Sequence, residues 1–369
     1  MNTPINNHSQ RGTVLIITLW TITLLTILVT VLAGQSRLSA RATQYHQEEV
    51  QNWANVSAAI NQAEMEVMLD LMDAPVLTPA EQAENPVPPR YRQYRGEPVQ
   101  LSWPQAEDVV VRVWDHAGKI NLTEISRPRL RALIEKKLGD DADQVVIDEL
   151  MSAWNDWLDL NRQPAANGAE AEFYGELDLP YTPRNGRLES VEELLQIRGF
   201  AEVFADVDLD AAFTVYGDSD LVNLNLATVE AMRLLPGLDD ELIDEIIAWR
   251  ANREFIGNGD IAQLVPADRM GELRPWMNSR RTSNFFTIMA YRRQSPDNAA
   301  GFGSEAPGFL ENAVFEDAVV IDDPFDAATT AYAEIVDIAS FNNKPRVLKI
   351  NPYQNIPIRK IVTDTEGAR

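Results

Sequence analysis

Residues 13–34 read TVLIITLWTITLLTILVTVLAG, a run of 22 residues without a charged side chain. A helix of this length spans roughly 33 Å at about 1.5 Å per residue, close to the roughly 30 Å hydrocarbon core of a bilayer. Each of its six threonine hydroxyls can donate to a carbonyl oxygen one turn earlier, so the helix satisfies its polar groups in lipid. The run therefore predicts a membrane-spanning helix.

Three interpretations compete for the N-terminus. A cleaved secretory signal peptide would use the small residues near Ala33, but its apolar run is normally only about 7–15 residues long. A plain signal anchor would hold Arg11 on the cytoplasmic side of the membrane. A leader of the type IV pilin kind would end in Arg11-Gly12, with the apolar helix beginning at once at Thr13.

The third interpretation predicts that the helix continues beyond the membrane as an amphipathic segment. Residues 35–73 contain no proline or glycine, and Pro75 and Pro79 follow as helix breakers. Apolar residues recur at intervals near multiples of 3.6, as a helix face requires. They are Leu38, Ala42, Tyr45, Val56, Ile60, Ala63, Val67 and Leu71. This pattern and the glycine at the polar–apolar boundary favour the pilin-like leader.

The rest of the chain alternates between strand and helix patterns. Residues 74–97 predict an irregular connection, and residues 99–103 and 109–114 predict strands. A block of helices follows from about residue 119 to residue 281. Strand patterns return at 285–291, 332–340 and 346–350, after which no helix pattern is found. The order predicts one α+β domain with a helical domain inserted between its strands; two consecutive domains are the alternative.

Charge and composition exclude several classes of function. The 369 residues include 56 acidic and 32 basic side chains, a net charge of −24, while 45% of residues are hydrophobic. Residues 118–281 alone hold 32 acidic and 17 basic residues, or −15. Such charge opposes non-specific binding to nucleic acid. The absence of cysteine excludes disulfides and thiolate chemistry, and only three histidines can supply imidazole catalysis.

Two segments of the helical block resemble each other, Ile120–Thr123 and Val222–Thr228. The second leads through Leu235-Pro236-Gly237 into a helix, the pattern of a helix-hairpin-helix unit. Phosphate binding by such a unit needs a glycine-rich hairpin with free backbone N–H groups at the helix N-terminus. Here Asp239 and the next two acidic residues occupy that position, so the pattern favours packing over DNA binding.

An acidic loop in the same block is the candidate metal site. Asp159 and Asn161 form a D-x-N pair at its start, and Glu170 and Glu172 return at its end. Oxygen ligands at such spacing suit Ca²⁺, although the spacing and glycine of an EF-hand are absent. Helix capping with a solvated acidic loop is the alternative. A carboxylate pair among Asp156, Asp159 and Glu170 has no nucleophile motif beside it, so we expect no enzyme.

The chain resembles the minor pseudopilin K family of type II secretion. The resemblance rests on an ordered set of motifs: the leader end Arg11-Gly12, the helix from Thr13, Asp156–Asp159, Asn167–Glu170, Tyr174, Leu188–Leu194 and Val222–Asn225. It implies a type IV pilin-like α+β fold, with a long N-terminal helix, an antiparallel sheet and an inserted helical domain of helix-hairpin-helix and SAM-like units. Its implied divisions are a leader (1–12), a transmembrane helix (13–34), a pilin-like domain (35–117 and 282–369) and the inserted domain (118–281).

The resemblance further implies that prepilin peptidase cuts between Gly12 and Thr13 and that the new N-terminus is methylated. Most pilin-like subunits carry a glutamate at mature position five, where this chain has Ile17. Its absence is typical of the K subunit, which is placed at the pseudopilus tip with the I and J subunits. The family is also reported to bind calcium in the inserted domain, although Asn161 stands where an acid is commoner.

We therefore expect a non-enzymatic tip component that initiates pseudopilus assembly and helps export folded proteins. The implied location is the bacterial inner membrane, with one span and a periplasmic C-terminal domain. A membrane-anchored helix-hairpin-helix DNA-binding protein is the alternative.

Overall fold

The computed structural model describes residues 10–71, 93–102, 108–139, 141–251, 253–278, 282–292, 331–339 and 345–354. They divide into two compact units, residues 1–57 and 58–369, which are described separately. Most of the predicted leader and the prolines at 75 and 79 lie outside the described residues.

Helix α1, Gln10–Leu71, confirms the long N-terminal helix predicted from the sequence. Its backbone is already helical at Gly12 and Thr13. The apolar residues that follow are exposed, as Ile17 illustrates with 62% of its surface accessible. The threonine hydroxyls donate to carbonyl oxygens one turn earlier, for example Thr30 to Thr26 at 2.8 Å. From Val14 to Gly34, where the side chains are described, the helix therefore presents an apolar surface whose threonine hydroxyls are hydrogen-bonded.

The last turns of α1 belong to the second unit and bury one face. Ala59, Ile60, Ala63 and Val67 are no more than 2% exposed. Their spacing is that of one stripe on a helix. Residues 58–71 therefore pack through one buried face of the helix.

The structure gives these further elements. The strands are β1 Arg95–Pro98, β2 Val109–Asp115, β3 Ile120–Asn121, β4 Phe213–Thr214, β5 Val222–Asn223, β6 Met277–Asn278, β7 Phe285–Arg292, β8 Ala331–Asp337 and β9 Arg346–Gln354. The helices are α2 Arg127–Leu138, α3 Gln144–Leu158, α4 Ala171–Gly175, α5 Phe200–Phe204, α6 Leu209–Ala212, α7 Val229–Leu234, α8 Asp240–Arg250, α9 Asn258–Ile261 and α10 Ala267–Leu273. Short 3-10 helices cover His116–Gly118, Val191–Gln196 and Arg274–Trp276.

A five-stranded antiparallel sheet has the order β1-β2-β7-β8-β9. Strands β2 and β7 pair directly, with Val113 opposite Ile288, although about 170 residues of mostly helical chain separate them. The sheet, the long helix and the helical segment between adjacent strands confirm the predicted α+β pilin-like class. The division points predicted at residues 117/118 and 281/282 stay a prediction.

The first predicted strand was misplaced. The structure puts β1 at residues 95–98 rather than 99–103, with an irregular register against β2. Gly96 adopts a φ of 94°, and a Cβ on it would lie 2.1 Å from the Trp114 indole nitrogen. Only glycine allows this backbone to lie so close to the ring. The contact joins residues distant in sequence, which is why a local pattern did not reveal it.

The echo between Ile120–Thr123 and Val222–Thr228 is structural as well as sequential. Each begins with a two-residue strand in a parallel pair, β3 with β4 and β5 with β6. The asparagine of each then accepts a hydrogen bond from the backbone N–H two residues later: Asn121 from Thr123 at 3.0 Å and Asn223 from Asn225 at 2.9 Å. Both repeats feed one apolar core of the helical segment, in which Trp157, Phe200 and Phe213 are at most 2% exposed.

Candidate functional site

The acidic loop, defined here as residues 159–170, joins helix α3 to helix α4. Asp159 is the residue that follows α3, and Glu170 is the N-cap of α4, where its carboxylate accepts from the Ala171 N–H. The helix ends thus fix both ends of the loop. Their carboxylates face each other closely enough for Asp159 to influence the pKa of Glu170.

Asp159 and Asn161 shape the first turn of the loop. Asp159 Oδ1 accepts from the Asn161 N–H at 3.0 Å, and Asn161 Oδ1 accepts from the Gln163 N–H at 2.7 Å. Each is a side chain closing a turn on its own backbone two residues on. These bonds use one lone pair of each oxygen and leave the other acceptor positions open.

Glu170 is the buried member of the predicted ligand set. It is 4% exposed, and its Oε1 atom is buried without a hydrogen-bond partner. Burial raises the pKa of Glu170, and the nearby Asp156 and Asp159 carboxylates raise it further. Such a site concentrates negative charge at an oxygen that nothing in the described chain satisfies.

Asp156 lies beneath the loop and was not among the predicted ligands. Its carboxylate is 1% exposed and accepts the Ala165 N–H at 3.0 and 3.1 Å. A Cβ at Gly168 would lie 1.9 Å from Asp156 Oδ2. Asp156 therefore clamps the loop backbone, and Gly168 makes the close approach possible.

Asn185 enters the site from a distant segment and was missed by the sequence analysis. Its Nδ2 donates to the Asn161 carbonyl at 2.8 Å, and its proximity to Glu170 partly offsets the rise in the pKa of Glu170. The Asn185 Oδ1 atom is buried without a partner. With a φ of 49°, Asn185 adopts the left-handed conformation that asparagine tolerates better than most residues. That preference is the one local signal that could have drawn attention to it.

Glu172 is exposed in the first turn of α4. Within the described ranges, no group of three or more histidine, cysteine or acidic side chains is placed so that it could hold a metal ion. The structure therefore brings Asp159 and Glu170 together with Asp156, Asn161 and Asn185, rather than assembling the four predicted ligands as a cage.

Aromatic side chains support the loop from below. Tyr174 contacts Trp157 edge to face at 5.2 Å and Tyr181 at 5.2 Å between ring centroids. The Tyr174 hydroxyl accepts from the Arg198 N–H at 3.2 Å, and burial raises the pKa of Tyr174 to about 12. Arg198 also donates to the Gly168 carbonyl at 3.2 Å. The loop is thus held by packed aromatic rings and by the Arg198 side chain.

The hairpin between α7 and α8 is built for packing rather than for phosphate. Asp239 caps α8 by accepting the Leu242 N–H at 3.0 Å, and it also pairs with Arg269. A carboxylate therefore already occupies the positive end of that helix. Inside the hairpin, Arg250 is 9% exposed and donates to two backbone carbonyls, so its charge does not face a ligand.

Comparison with known proteins gives matches centred on the helical segment. Residues 118–207 match the family model described as type II secretion system (T2SS), protein K. The chain is similar to the type II secretion system protein K of Pectobacterium carotovorum subsp. carotovorum, with 36% identity over 67 residues. That alignment covers 18% of this chain and 20% of the relative's length.

Among solved structures, the chain is similar to one from the GspK-GspI-GspJ complex of the enterotoxigenic Escherichia coli type 2 secretion system. The TM-score is 0.48 with 13% sequence identity, over 86% of this chain and 99% of that one. The family-model match covers the segment that carries the acidic loop and its floor. Residues 118–207 are therefore similar to the type II secretion system protein K family, and the matched part spans about a fifth of the length of the curated relative.

Proposed function

We propose that this chain is a minor pseudopilin at the tip of the type II secretion pseudopilus, where it initiates assembly and helps to export folded proteins. One observation carries the proposal: a single chain joins a family K domain at residues 118–207 to an apolar N-terminal helix. Within the described residues, α1 is the helix long and apolar enough to cross a membrane. We place this helix in the inner membrane and the rest of the chain in the periplasm.

The residue at position 17 supports a place at the tip. In a pilin-like shaft, a glutamate at this position would neutralise the N-terminal amine of a neighbouring subunit. Ile17 carries no charge. A subunit with none above it has no amine to neutralise, and an unpaired carboxylate in an apolar environment would be costly. The bulk of the helical segment also suits an end position better than a packed shaft.

Processing of the leader is the first test. We expect prepilin peptidase to cut between Gly12 and Thr13 and to leave a methylated Thr13. Intact-mass and N-terminal peptide spectra from cells with and without the peptidase would show it. Replacing Gly12 by valine should prevent the cut, whereas Gly34→Ala, with no atom within 4 Å of the added Cβ, should leave it unchanged. A mature N-terminus near Gly34 would contradict the proposal.

Assembly with other pseudopilins is the second test. We propose the I and J subunits as partners of this chain. Solubilised membranes that contain all three subunits should yield a complex when this chain is purified by a C-terminal tag. Omission of this chain should leave fewer or no pseudopili. Normal pseudopilus formation in its absence would contradict a role in initiation.

We also propose that the acidic loop binds Ca²⁺ through Asp159, Asn161, Glu170 and Glu172. What supports the proposal is the unpartnered, buried Glu170 Oε1 beside two further carboxylates. Calcium accepts six to eight oxygen ligands in flexible geometry, so carbonyl and amide oxygens of the loop would complete the shell. Bound calcium would offset the negative charge of the Asp156, Asp159 and Glu170 carboxylates.

Thermal unfolding of the full chain in detergent tests calcium binding. Calcium at about 100 times its Kd should stabilise the second unit by about 2.7 kcal/mol and raise the Tm, and a chelator should reverse the shift. The change Glu170→Gln should abolish the response. Asp244→Asn removes the same charge from the exposed face of α8 and should preserve it. An unchanged melting curve would remove the proposal while leaving the pseudopilin role intact.

A further inference from the structure

A cavity of about 100 Å³ lies in the second unit, between the antiparallel sheet and the helical segment. An apolar cavity of about 150 Å³ in an engineered protein core holds benzene, so a space of this size accommodates part of a small molecule. Its lining combines apolar side chains with two lysines and several carboxylates. We call this space the junction cavity.

The sheet wall of the junction cavity is one face of four neighbouring strands. Trp114, Thr287, Ile335 and Lys349 stand opposite one another in register from β2 to β9. Residues directly opposite in a sheet lie on the same face, and all four line the cavity. Met289, from the next row, adds a further apolar side chain. The wall is therefore largely apolar, with one ammonium group at its β9 end.

The helical wall is assembled from three short segments that hydrogen bonds hold together. The Thr228 hydroxyl donates to the Ala211 carbonyl at 2.8 Å, and the Thr228 N–H donates to the Gly118 carbonyl at 3.3 Å. These bonds fix α6 and the first turn of α7 against the chain at residue 118. Lys119, Ala211 and Glu230 line the cavity from these segments. The fold therefore forms this wall in advance of any ligand.

Lys119 gives the cavity a buried ammonium group that has hydrogen-bonding capacity left over. The residue is 6% exposed, and its Nζ donates to the Asp210 carbonyl at 2.6 Å. Within the described chain this is its one hydrogen bond, whereas an ammonium group has three donors. Burial lowers the pKa of Lys119 to about 8. A carboxylate in the cavity would satisfy the remaining donors and compensate the buried charge.

Glu230 offers the opposite charge to the same cavity. It is half-buried in the first turn of α7, and no described residue forms a hydrogen bond or ion pair with its carboxylate. The second lysine of the cavity, Lys349, is paired with Glu192 at 2.6 Å. Glu334 alternates with Ile335 along β8, so its carboxyl group points to the other face of the sheet. Glu230 is therefore open to a ligand's ammonium group.

Charges of both signs decide the class of ligand. The charged groups close enough to influence the pKa of Lys119 are Asp210, Asp208, Lys349 and Glu230. The three carboxylates would repel a purely anionic ligand, and the two ammonium groups would repel a purely cationic one. A zwitterion avoids both penalties when its carboxylate meets Lys119 and its ammonium group meets Glu230. The apolar sheet wall then contacts the rest of the molecule.

We propose that the junction cavity binds a small α-amino acid, with its carboxylate on Lys119, its ammonium group on Glu230 and its apolar side chain against the sheet wall. Ligand sites are typically apolar with a few polar groups that fix orientation, and the cavity has this composition. The site is independent of calcium and of the tip location.

Calorimetric titration of the full chain in detergent, with a chelator present, tests this with L-valine as the probe. We expect one L-valine to bind per chain. 3-Methylbutanoate lacks the ammonium group and L-valinamide lacks the carboxylate, so each should bind at least about tenfold more weakly, because each loses one charge-assisted contact. Equal affinity for the three compounds, or no binding of L-valine, would overturn the proposal.

Variants assign the binding to the junction cavity. Glu230→Gln should weaken L-valine binding at least about tenfold. Glu241→Gln, at an exposed position in the first turn of α8, should bind as the wild type does. Lys119→Met should abolish binding, with circular dichroism as the check that this buried position still folds. Ala211→Leu keeps both charges but fills the cavity, and it should also abolish binding. Unchanged affinity in Glu230→Gln or in Ala211→Leu would contradict the proposed site.

Discussion

Gly168 lies against the carboxylate of Asp156 so closely that a Cβ on the glycine would come within 1.9 Å of Asp156 Oδ2. The same carboxylate accepts the Ala165 N–H three residues earlier in the loop. The buried Asp156 carboxylate is therefore the group around which the acidic loop folds. Its contacts with Asp156 stabilise the loop conformation in addition to the side-chain turns formed by Asp159 and Asn161.

Gly168→Ala should accordingly destabilise the second unit by about 1–3 kcal/mol, because Asp156 is fixed in a packed core and cannot move aside. Gly175→Ala is the matched control. A Cβ at Gly175 meets no atom within 4 Å, so this change should be neutral or stabilising by up to about 1 kcal/mol. Urea unfolding of the two variants measures the difference. Equal stabilities would show that the loop shifts freely around Asp156.

Asp115, at the end of β2, should make stability depend on pH. It accepts from the Ala117 N–H at 2.8 Å and from the Ser283 hydroxyl at 2.7 Å, and burial raises its pKa to about 6. Because the folded pKa exceeds the ordinary value of 3.8, stability is lost as pH rises from about 4 to 6. In Asp115→Asn, the amide keeps one oxygen that can accept a hydrogen bond, but it does not ionise. The variant therefore has no buried charge at high pH.

The stability of Asp115→Asn relative to wild type should therefore rise by about 2 kcal/mol between pH 4 and pH 6 and level off above about pH 7. Urea midpoints at pH 4, 5, 6 and 7 would follow this change. Asp178→Asn, at an exposed position, should run parallel to the wild type. A constant difference between Asp115→Asn and wild type would mean that Asp115 ionises normally in the fold.

Local sequence patterns predicted the elements whose residues repeat regularly. The apolar stripe that includes Ile60 and Val67 predicted α1, and the β-branched run at 109–114 predicted β2. Both depend on spacing within one segment, which a single sequence records directly. The displaced first strand shows the limit, since Gly96 is placed by Trp114 of the neighbouring strand.

The acidic loop was likewise predicted only in part from the sequence. The D-x-N spacing of Asp159 and Asn161 indicated a turn rich in oxygen ligands, and both residues shape that turn. Asn185 could not be predicted, because it lies 24 residues from Asn161 in the sequence, beyond helix α4. Asp156 lies in the helical pattern of α3, where its spacing gives no sign that it holds the loop. Tertiary contacts, rather than spacing, decide which polar residues surround Glu170.

His116 joins the helical segment to the sheet and should resist protonation. Its ring nitrogens bond to the Thr214 hydroxyl at 2.7 Å and the Thr287 hydroxyl at 2.8 Å. Burial, and then the charge of Lys119, lowers the pKa of His116 well below 6.5. The folded state thus keeps the ring neutral, and stability from this group is lost as pH falls below 6.5.

We expect the stability advantage of wild type over His116→Gln to shrink as pH is lowered from 7 to 5. His46→Gln removes a histidine from an exposed position of α1 and should show no such trend. Chemical unfolding at each pH, with tryptophan fluorescence as the signal, measures both. An advantage that stays constant down to pH 5 would show that His116 is free to take up a proton in the folded state.

Arg250 provides the final test of the hairpin as a packing unit. Its guanidinium donates to the Leu224 carbonyl at 3.0 Å and the Ala227 carbonyl at 2.7 Å, inside the second copy of the repeated motif. Arg250→Met keeps the apolar stem but leaves both carbonyls without this donor, which should cost about 2–4 kcal/mol. Thermal and urea unfolding of the full chain would measure the loss.

Arg233→Met removes an arginine from the other helix of the same hairpin. Arg233 is exposed and pairs with Asp240 at the surface, so its loss should change stability by no more than about 0.5 kcal/mol. If the hairpin bound nucleic acid, the exposed Arg233 rather than the buried Arg250 would be available to contact it. If Arg250→Met lowers the free energy of unfolding several times more than Arg233→Met does, the buried arginine stabilises the packing of the hairpin. Equal losses of stability would contradict this role.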